Sequence, residues 1–350
     1  MGLFDQLMAV LSHDLGIDLG TANTLVAVRG RGVVISEPSV VAVKKGTKQV
    51  LMDGQAVGDQ AKIMIGKNPG NIDVIRPMKD GVIADLEITE AMLRYFIAKA
   101  GGRRGPFRPR LVVAVPSGIN EVEKGAVTNS AMNAGARQVY LIKEPMAAAI
   151  GAGLPVGDPV GSMIVDIGGG TTEVAVISLA GIVASESVRC AGDEIDNAIG
   201  KFVKTKYGIV IGENTAEQVK ITIGCAIAPA DIERMTIRGR DLRTGMPAGI
   251  EITAQEVAEA IRPQVNSIVS SVKMVLERTA PELASDLIDR GIVMAGGTSQ
   301  LRGLAELISR ETGLPVRVAD QPLTCVARGC AAVLDNIDVL TQILETGTQR

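Results

Sequence analysis

The sequence predicts an α/β protein built from two like halves. Residues 163–178 run as an apolar strand, an aspartate, a glycine turn and a second strand, and residues 16–28 repeat that order. Elsewhere, short Val/Ile-rich runs alternate with helical patterns, as expected of an α/β fold. The two copies lie roughly one domain length apart, and 350 residues suffice for two domains.

In the second copy, Met163, Ile164 and Val165 read as a buried strand that Asp166 ends with a carboxylate. Gly168, Gly169, Gly170, Thr171 and Thr172 follow, and 173–178 reads as the return strand. The first copy is Gly16-Ile17-Asp18-Leu19-Gly20-Thr21-Ala22-Asn23-Thr24, then the strand 25–28. Glycine has no Cβ, so such turns can bring N–H groups close to phosphate oxygens. Magnesium prefers oxygen ligands and keeps several waters, so the adjacent aspartate can hold it through water. One such turn alone reads equally well as a ligand-free hairpin. Two copies favour like domains closing on one metal-bound triphosphate.

Composition narrows the class. Hydrophobic residues make up 46% and aromatics only 2% with no Trp, so the core is aliphatic. A net charge of −3 argues against a general nucleic-acid binder. No apolar run reaches the ~18 residues of a membrane span. The first residues carry no Lys or Arg, so no secretory signal is expected. Cys190, Cys225, Cys325 and Cys330 form no C-x-x-C pair and read as buried thiols. His13 is the single histidine, which excludes His-based triads and His-rich metal sites. No G-x-x-x-x-G-K-[ST] string occurs, which excludes the P-loop fold.

In chain order, Leu3, Phe4, Leu7, Met8 and Leu11 share one face of a terminal helix. It could dock on its own domain or lie in a membrane interface. Residues 36–72 read as a small insertion with a strand at 40–43 and a helix at 55–65. The string 73–85 leads to a helix at 87–100. Phe107 then sits among Arg103, Arg104, Arg108 and Arg110 on a Gly/Pro loop. That loop and the apolar terminus together favour contact with a membrane surface. A central strand at 111–115, a helix at 121–134, a strand at 139–142 and a helix from Pro145 follow. Beyond the second hairpin come a strand at 182–184 and a helix at 194–206, opened by Gly192-Asp193. A second insertion, 207–250, holds a helix at 215–223 and strands near 233–238 and 249–253. Thr253 and Glu256 form a capping box for a helix at 254–278. A strand at 292–295 runs into Gly296-Gly297-Thr298, then a helix at 301–311, a strand at 316–318 and a helix at 323–334. The tail after Asn336 shows a helical pattern and then a frayed end.

The three glycine turns suggest one composite site. The first two suit phosphates, and Gly296-Gly297 suits an uncharged purine ring. Glu217 and Lys220 read either as a surface ion pair or as a ribose clamp. Glu144, at a strand end and helix start, either favours the helix N-terminus or orients a water toward a terminal phosphate.

With these residues in view, the chain resembles the actin/sugar-kinase/Hsp70 superfamily. Within it, the chain is similar to the MreB family of bacterial actin homologues that determine rod shape. The matching strings are residues 17–24, 37–42, 75–85, 144–154, 166–178 and 281–286. The resemblance implies an actin-like, ribonuclease H-like two-domain ATPase fold with four subdomains around a nucleotide cleft. Subdomain IA would comprise 1–34, 73–150 and 321–350, IB 35–72, IIA 151–184 and 250–320, and IIB 185–249. It implies that Asp18 and Asp166 hold magnesium through water, and that Gly20, Thr21, Ala22, Asn23, Gly168, Gly169, Gly170, Thr171 and Thr172 bind ATP phosphates. Glu217 and Lys220 would touch the ribose, Gly296, Gly297 and Thr298 the adenine side, and Gly192, Asp193, Ser299 and Gln300 would also belong to the nucleotide site. Glu144 and Thr171 would position the attacking water in a slow, magnesium-dependent hydrolysis coupled to assembly.

The family's partners would be further copies of the chain in antiparallel double filaments, the inner membrane surface, and membrane-bound shape and wall-synthesis proteins. The chain would be cytoplasmic and peripheral on that membrane, with Leu3, Phe4, Leu7, Met8, Leu11 and Phe107 as its contacts, and would bind no nucleic acid. Three positions depart from the usual pattern. Ala191 stands for glycine, Thr298-Ser299-Gln300 for Gly-Ala-Leu, and Lys143 for an acidic residue beside Glu144. Two rivals share the fold. A small-molecule kinase would need an extra aspartate aimed at a substrate hydroxyl, and a chaperone would need a substrate domain for which no room is expected.

Overall fold

The computed structural model describes residues 14–101, 108–335 and 343–346. The terminal apolar face, Phe107, Arg103 and Arg104 lie outside them.

The first half opens with β1 (Leu15–Leu19), β2 (Asn23–Val28) and β3 (Gly32–Pro38), an antiparallel meander. The first insertion contributes β4 (Val41–Lys44) and β5 (Ile72–Ile75), paired antiparallel. A hairpin of β6 (Met78–Lys79) and β7 (Val82–Ile83) leads to the helix Leu86–Lys99, capped by the Asp85 carboxylate. Next come β8 (Arg110–Val115), the helix Glu121–Asn133, β9 (Gln138–Lys143) and the helix Glu144–Gly151.

The second half repeats the plan. An antiparallel meander of β10 (Ser162–Ile167), β11 (Thr172–Ser178) and β12 (Gly181–Val188) precedes the helix Gly192–Tyr207. The second insertion holds β13 (Ile209–Val210), the helix Glu213–Ile223, β14 (Arg234–Asp241) and β15 (Pro247–Thr253). The helix Ala254–Arg278, the helix Pro281–Arg290, β16 (Ile292–Ala295) and β17 (Val316–Val318) complete its sheet. The chain then returns through the helix Cys325–Asp335, and β18 (Glu345–Thr346) pairs with the edge of β9.

The main sheets run β18-β9-β8-β1-β2-β3 and β12-β11-β10-β16-β17. In each, the aspartate strand pairs antiparallel with its own hairpin and parallel with a later strand. β1 lies between β2 and β8, and β10 between β11 and β16. Leu19 faces Thr24 as Ile167 faces Thr172, so the two turns span the same number of residues. The repeated string is therefore a repeated topology.

Each half buries its own aliphatic core, and a third core lies between them. That shared core is made by the helices Glu144–Gly151 and Cys325–Asp335 with residues from both sheets, including Ile142, Ile164 and Val293. The two helices almost touch. A Cβ on Gly329 would stand 1.9 Å from the Ala147 carbonyl oxygen, so only glycine fits there. Apolar contact this close makes a stiff floor beneath the cleft.

Some expectations change. The helix expected at 55–65 is reduced to the short turn Asp59–Lys62, because Gly58 just before it takes a positive φ; a further short turn, Leu51–Gly54, precedes the expected span. The helix expected at 301–311 starts later, at Leu304, and spans Leu304–Thr312 after a separate 3₁₀ turn at Gly297–Gln300. Of the tail after Asn336, the described residues Glu345 and Thr346 join the sheet as a short strand, and the rest of the expected helical pattern lies outside the described residues. Arg110 is not a surface arginine. It is 2% exposed and donates from its backbone N at 2.9 Å, Nε at 2.9 Å and Nη2 at 2.6 Å to Asp14, itself fully buried. That leaves Arg108, which is exposed, from the described part of the arginine loop.

Candidate functional site

A cavity of about 790 Å³ lies between the halves. Its floor is the pair of glycine turns, which meet back to back. A Cβ on Gly169 would come within 2.5 Å of the Ala22 Cβ, so the approach of the two halves depends on that bare backbone.

Hydrogen bonds aim the second turn. The Gly168 carbonyl accepts from Gly192 N at 3.2 Å and from Thr298 Oγ1 at 2.7 Å, and the Gly169 carbonyl accepts from Asp193 N at 2.8 Å. A planar trans peptide points its N–H opposite to its C=O. The Gly169 and Gly170 N–H groups therefore face away from those bonds, and among the described residues no acceptor meets them. Both residues line the cavity. The first turn is anchored differently, by Ser39. Its N donates to the Ala22 carbonyl at 2.9 Å and its Oγ to the Gly20 carbonyl at 2.6 Å.

Three carboxylates, Asp18, Asp166 and Glu144, line the cavity, and a fourth, Glu173, lies behind them. Asp18 and Asp166 end the matched strands β1 and β10. Burial pushes Asp18 up to about 7. Burial, then the charges of Asp18 and Glu173, hold Asp166 well above the usual carboxylate range. Burial and then Glu173, Asp18 and Asp166 do the same to Glu144. Glu144 stands in the first turn of its helix, where a carboxylate favours the helix N-terminus. Glu173, opposite Asp166 in the ladder, accepts from Ser117 N at 3.1 Å and from the Ser187 hydroxyl. Burial also pushes Glu173 up.

No cation pairs with Asp18 or Asp166 among the described residues. No group of three His, Cys, Asp or Glu there forms a protein cage for a metal. Two desolvated carboxylates with no cation, beside N–H groups with no acceptor, fit a magnesium ion that takes its other ligands from water and phosphate.

The cavity's far end is lined by Asp193, Glu217, Lys220, Gly296, Gly297, Thr298 and Gln300. Glu217 and Lys220 do not pair with each other. Lys220 donates to Asp196 at 2.8 Å and to the Gly192 carbonyl at 3.1 Å, while Glu217 accepts from Lys62 at 3.0 Å.

A model of the MreB/Mbl protein family matches residues 12–342. The chain belongs to the MreB/Mbl family. It is 51% identical over 340 residues to the cell shape-determining protein MreB of Escherichia coli K12, covering 96% of this chain and 97% of that protein. It is 48% identical over 331 residues to the cell shape-determining protein Mbl of Bacillus subtilis 168, covering 95% and 98%. The crystal structure of MreB5 of Spiroplasma citri bound to ADP superposes with a TM-score of 0.88 at 35% identity, covering 95% and 98%. The fold of this MreB/Mbl chain is therefore actin-like.

Within this MreB/Mbl fold, Asp18, Gly20, Thr21, Ala22, Asn23, Glu144, Asp166, Gly168, Gly169, Gly170, Thr171, Gly192 and Asp193 all line the cavity. Thr172 and Ser299 do not. The Thr172 hydroxyl is spent on the Cys190 carbonyl at 2.7 Å, and that of Ser299 on the Gly296 carbonyl at 2.7 Å. Ala191 is buried and leaves Gly192 in the wall.

Sequence reading gave no role to Ser39, Glu173, Lys62 or Arg76. Ser39 lay inside a quoted family string, and its place after two strands was the available signal. Glu173 looked like an ordinary strand residue. Lys62 and Arg76 meet partners more than a hundred positions away, which no local pattern reveals.

Proposed function

We propose that this chain is an ATP-binding and slowly ATP-hydrolysing actin homologue. It polymerises into antiparallel double filaments on the inner face of the cell membrane. There, with membrane-bound shape and wall-synthesis proteins, it directs wall synthesis and maintains rod shape. One observation carries the nucleotide reading. Two topologically matched hairpins bring Asp18 and Asp166, uncompensated by any described cation, over N–H groups that lack acceptors. The names of the relatives support the cellular role, and MreB5 is a relative whose crystal structures hold ADP and AMPPNP.

In this reading the Gly169 and Gly170 N–H groups donate to phosphate oxygens. Asp18 and Asp166 are the residues that would hold a magnesium ion, which would supply neutralisation of phosphate charge. Glu144 and Thr171 stand at the wall where the terminal phosphate would end. The Glu144 carboxylate accepts a hydrogen bond from a water and orients it for attack, and Thr171 helps to fix that water. Such a site works by positioning and charge neutralisation. Burial between the halves keeps out other water. Glu217 and Lys220 take the ribose, and Gly296, Gly297, Thr298 and Gln300 border the base.

The membrane contacts proposed are Leu3, Phe4, Leu7, Met8, Leu11 and Phe107, with Arg103, Arg104 and Arg108 meeting lipid phosphates. The buried Asp14–Arg110 pair supports this. It ties together the points where residues 1–13 and 102–107 join the described fold. No described helix is long and apolar enough to cross a membrane.

Phosphate release tests the catalytic part. Glu144→Ala should keep ATP binding and lower the release rate by about a hundredfold, the usual size for a positioned acid–base group. A variant that hydrolyses ATP as wild type would remove Glu144 from the mechanism.

A further inference from the structure

The core beneath the cleft is stiff and apolar, but the cleft's mouth is held by charge. Helix Glu213–Ile223 presents Glu213 and Glu217 one turn apart, hence on one face. Across the opening stand Lys62, at the end of the turn Asp59–Lys62, and Arg76, just past β5. Lys62 Nζ donates to both Glu217 oxygens, at 3.0 and 3.4 Å. Arg76 Nη2 donates to Glu213 Oε2 at 3.3 Å. All four residues line the one cavity. Among the described residues these are the ion pairs that join the first half to the second.

We infer that Lys62 and Arg76 form a two-point latch that closes the cleft mouth and positions Glu217 for the ligand's ribose. The identity of that ligand rests on the nucleotide reading above. Both pairs are partly exposed, so each is weak alone and opens readily. Together they bias the lips toward closure without locking them. The two arms of the ribose clamp differ in what holds them. Lys220 is fixed from its own half by Asp196 and the Gly192 carbonyl. Glu217 is fixed by the opposite half. Its orientation is therefore set only when the mouth is shut, and a ligand that contacts Glu217 favours the shut form by linkage. Lys62 thus acts as a positioning residue through Glu217, and Arg76 as the second point that keeps the lip down.

Release of a fluorescent ATP analogue from full-length protein, chased with excess ATP in magnesium, tests this. Arg76→Glu and Glu213→Arg should each speed release by about threefold to tenfold, and the double swap should bring it back close to wild type. Lys62→Met should also speed release, and should shrink the preference for ATP over 2′-deoxy-ATP, which a merely structural change would leave alone. Added salt should speed wild-type release more than that of the single variants. A second readout needs no nucleotide. Spin labels on Lys67→Cys and Gln218→Cys, both exposed positions, report lip separation in the ligand-free chain. The single reversals should shift those distances outward, and the double swap should restore them. Unchanged lip distances in the single variants would overturn the latch, whatever the nucleotide does. The expected lip distances together with a wild-type chain that fails to bind the fluorescent ATP analogue would instead fault the nucleotide reading.

Discussion

At the residue scale, the site's character comes from carboxylates kept out of water without a cation. Asp18 holds its proton up to about 7, against an ordinary 3.8. Between those values the folded chain binds more protons than the unfolded one. The stability that Asp18 contributes is then fully present below the unfolded value and lost as pH rises through about 7. Asp18→Asn cannot titrate. The ligand-free variant's melting temperature should therefore fall less than wild type's between about pH 5 and about pH 8. Parallel declines in the two proteins would contradict the assignment. Asp18 and Asp166 were legible in the sequence because a strand, a carboxylate and a bare turn are contiguous. Glu173 was not, because what distinguishes it is its cross-strand place opposite Asp166 and its bond from Ser117 in the other half.

At the scale of elements, local signals survived and long-range ones did not. Thr253 and Glu256 form the capping box that their spacing announced. Lys206 and Tyr207, which also hold Glu256, come from a different helix. Burial works against the Glu256 charge, but the bonds from Lys206, Tyr207 and Thr253 outweigh it and pull the group down to about 2. Its stabilisation is present above the unfolded value of 4.5 and is lost as pH falls through about 2. Glu256→Gln should cost about 1 kcal/mol at neutral pH, read as a lower urea midpoint, and the gap should narrow in acid. A gap that stays constant down to the lowest pH would assign the effect to packing. The helix expected at 55–65 shrinks to the turn Asp59–Lys62, because Gly58, just before it, takes a positive φ. β18 was missed because its pairing lies with β9, far back in the chain.

At the scale of the whole molecule, a duplicated topology makes one site from two halves, and weak surfaces gain strength by repetition. In the proposed membrane reading, a single chain would bind lipid weakly through Arg103, Arg104 and Arg108, at roughly 1 kcal/mol per basic residue near the surface. A filament would repeat that contact, and avidity would make attachment stable. Co-sedimentation with anionic liposomes should therefore depend on polymerisation, weaken with salt, and fall sharply when residues 2–11 are deleted and Phe107→Ser is introduced. If that combined variant still binds as wild type under ATP, the membrane surface lies elsewhere. The two-half plan was legible because the same strand–aspartate–turn string occurs twice. The latch across the mouth was not, because it exists only once the halves are folded against each other.

The central claim is that Asp18 and Asp166, one from each half, serve one magnesium-bound nucleotide. Calorimetric titration of ATP into wild type and Asp166→Ala, with magnesium and with a chelator, tests it most directly. Wild type should bind tightly with magnesium and at least tenfold more weakly without it, about the 1.4 kcal/mol of one decade. Asp166→Ala should bind with the same weak affinity in both conditions. A variant that keeps the full magnesium-dependent gain would contradict the account.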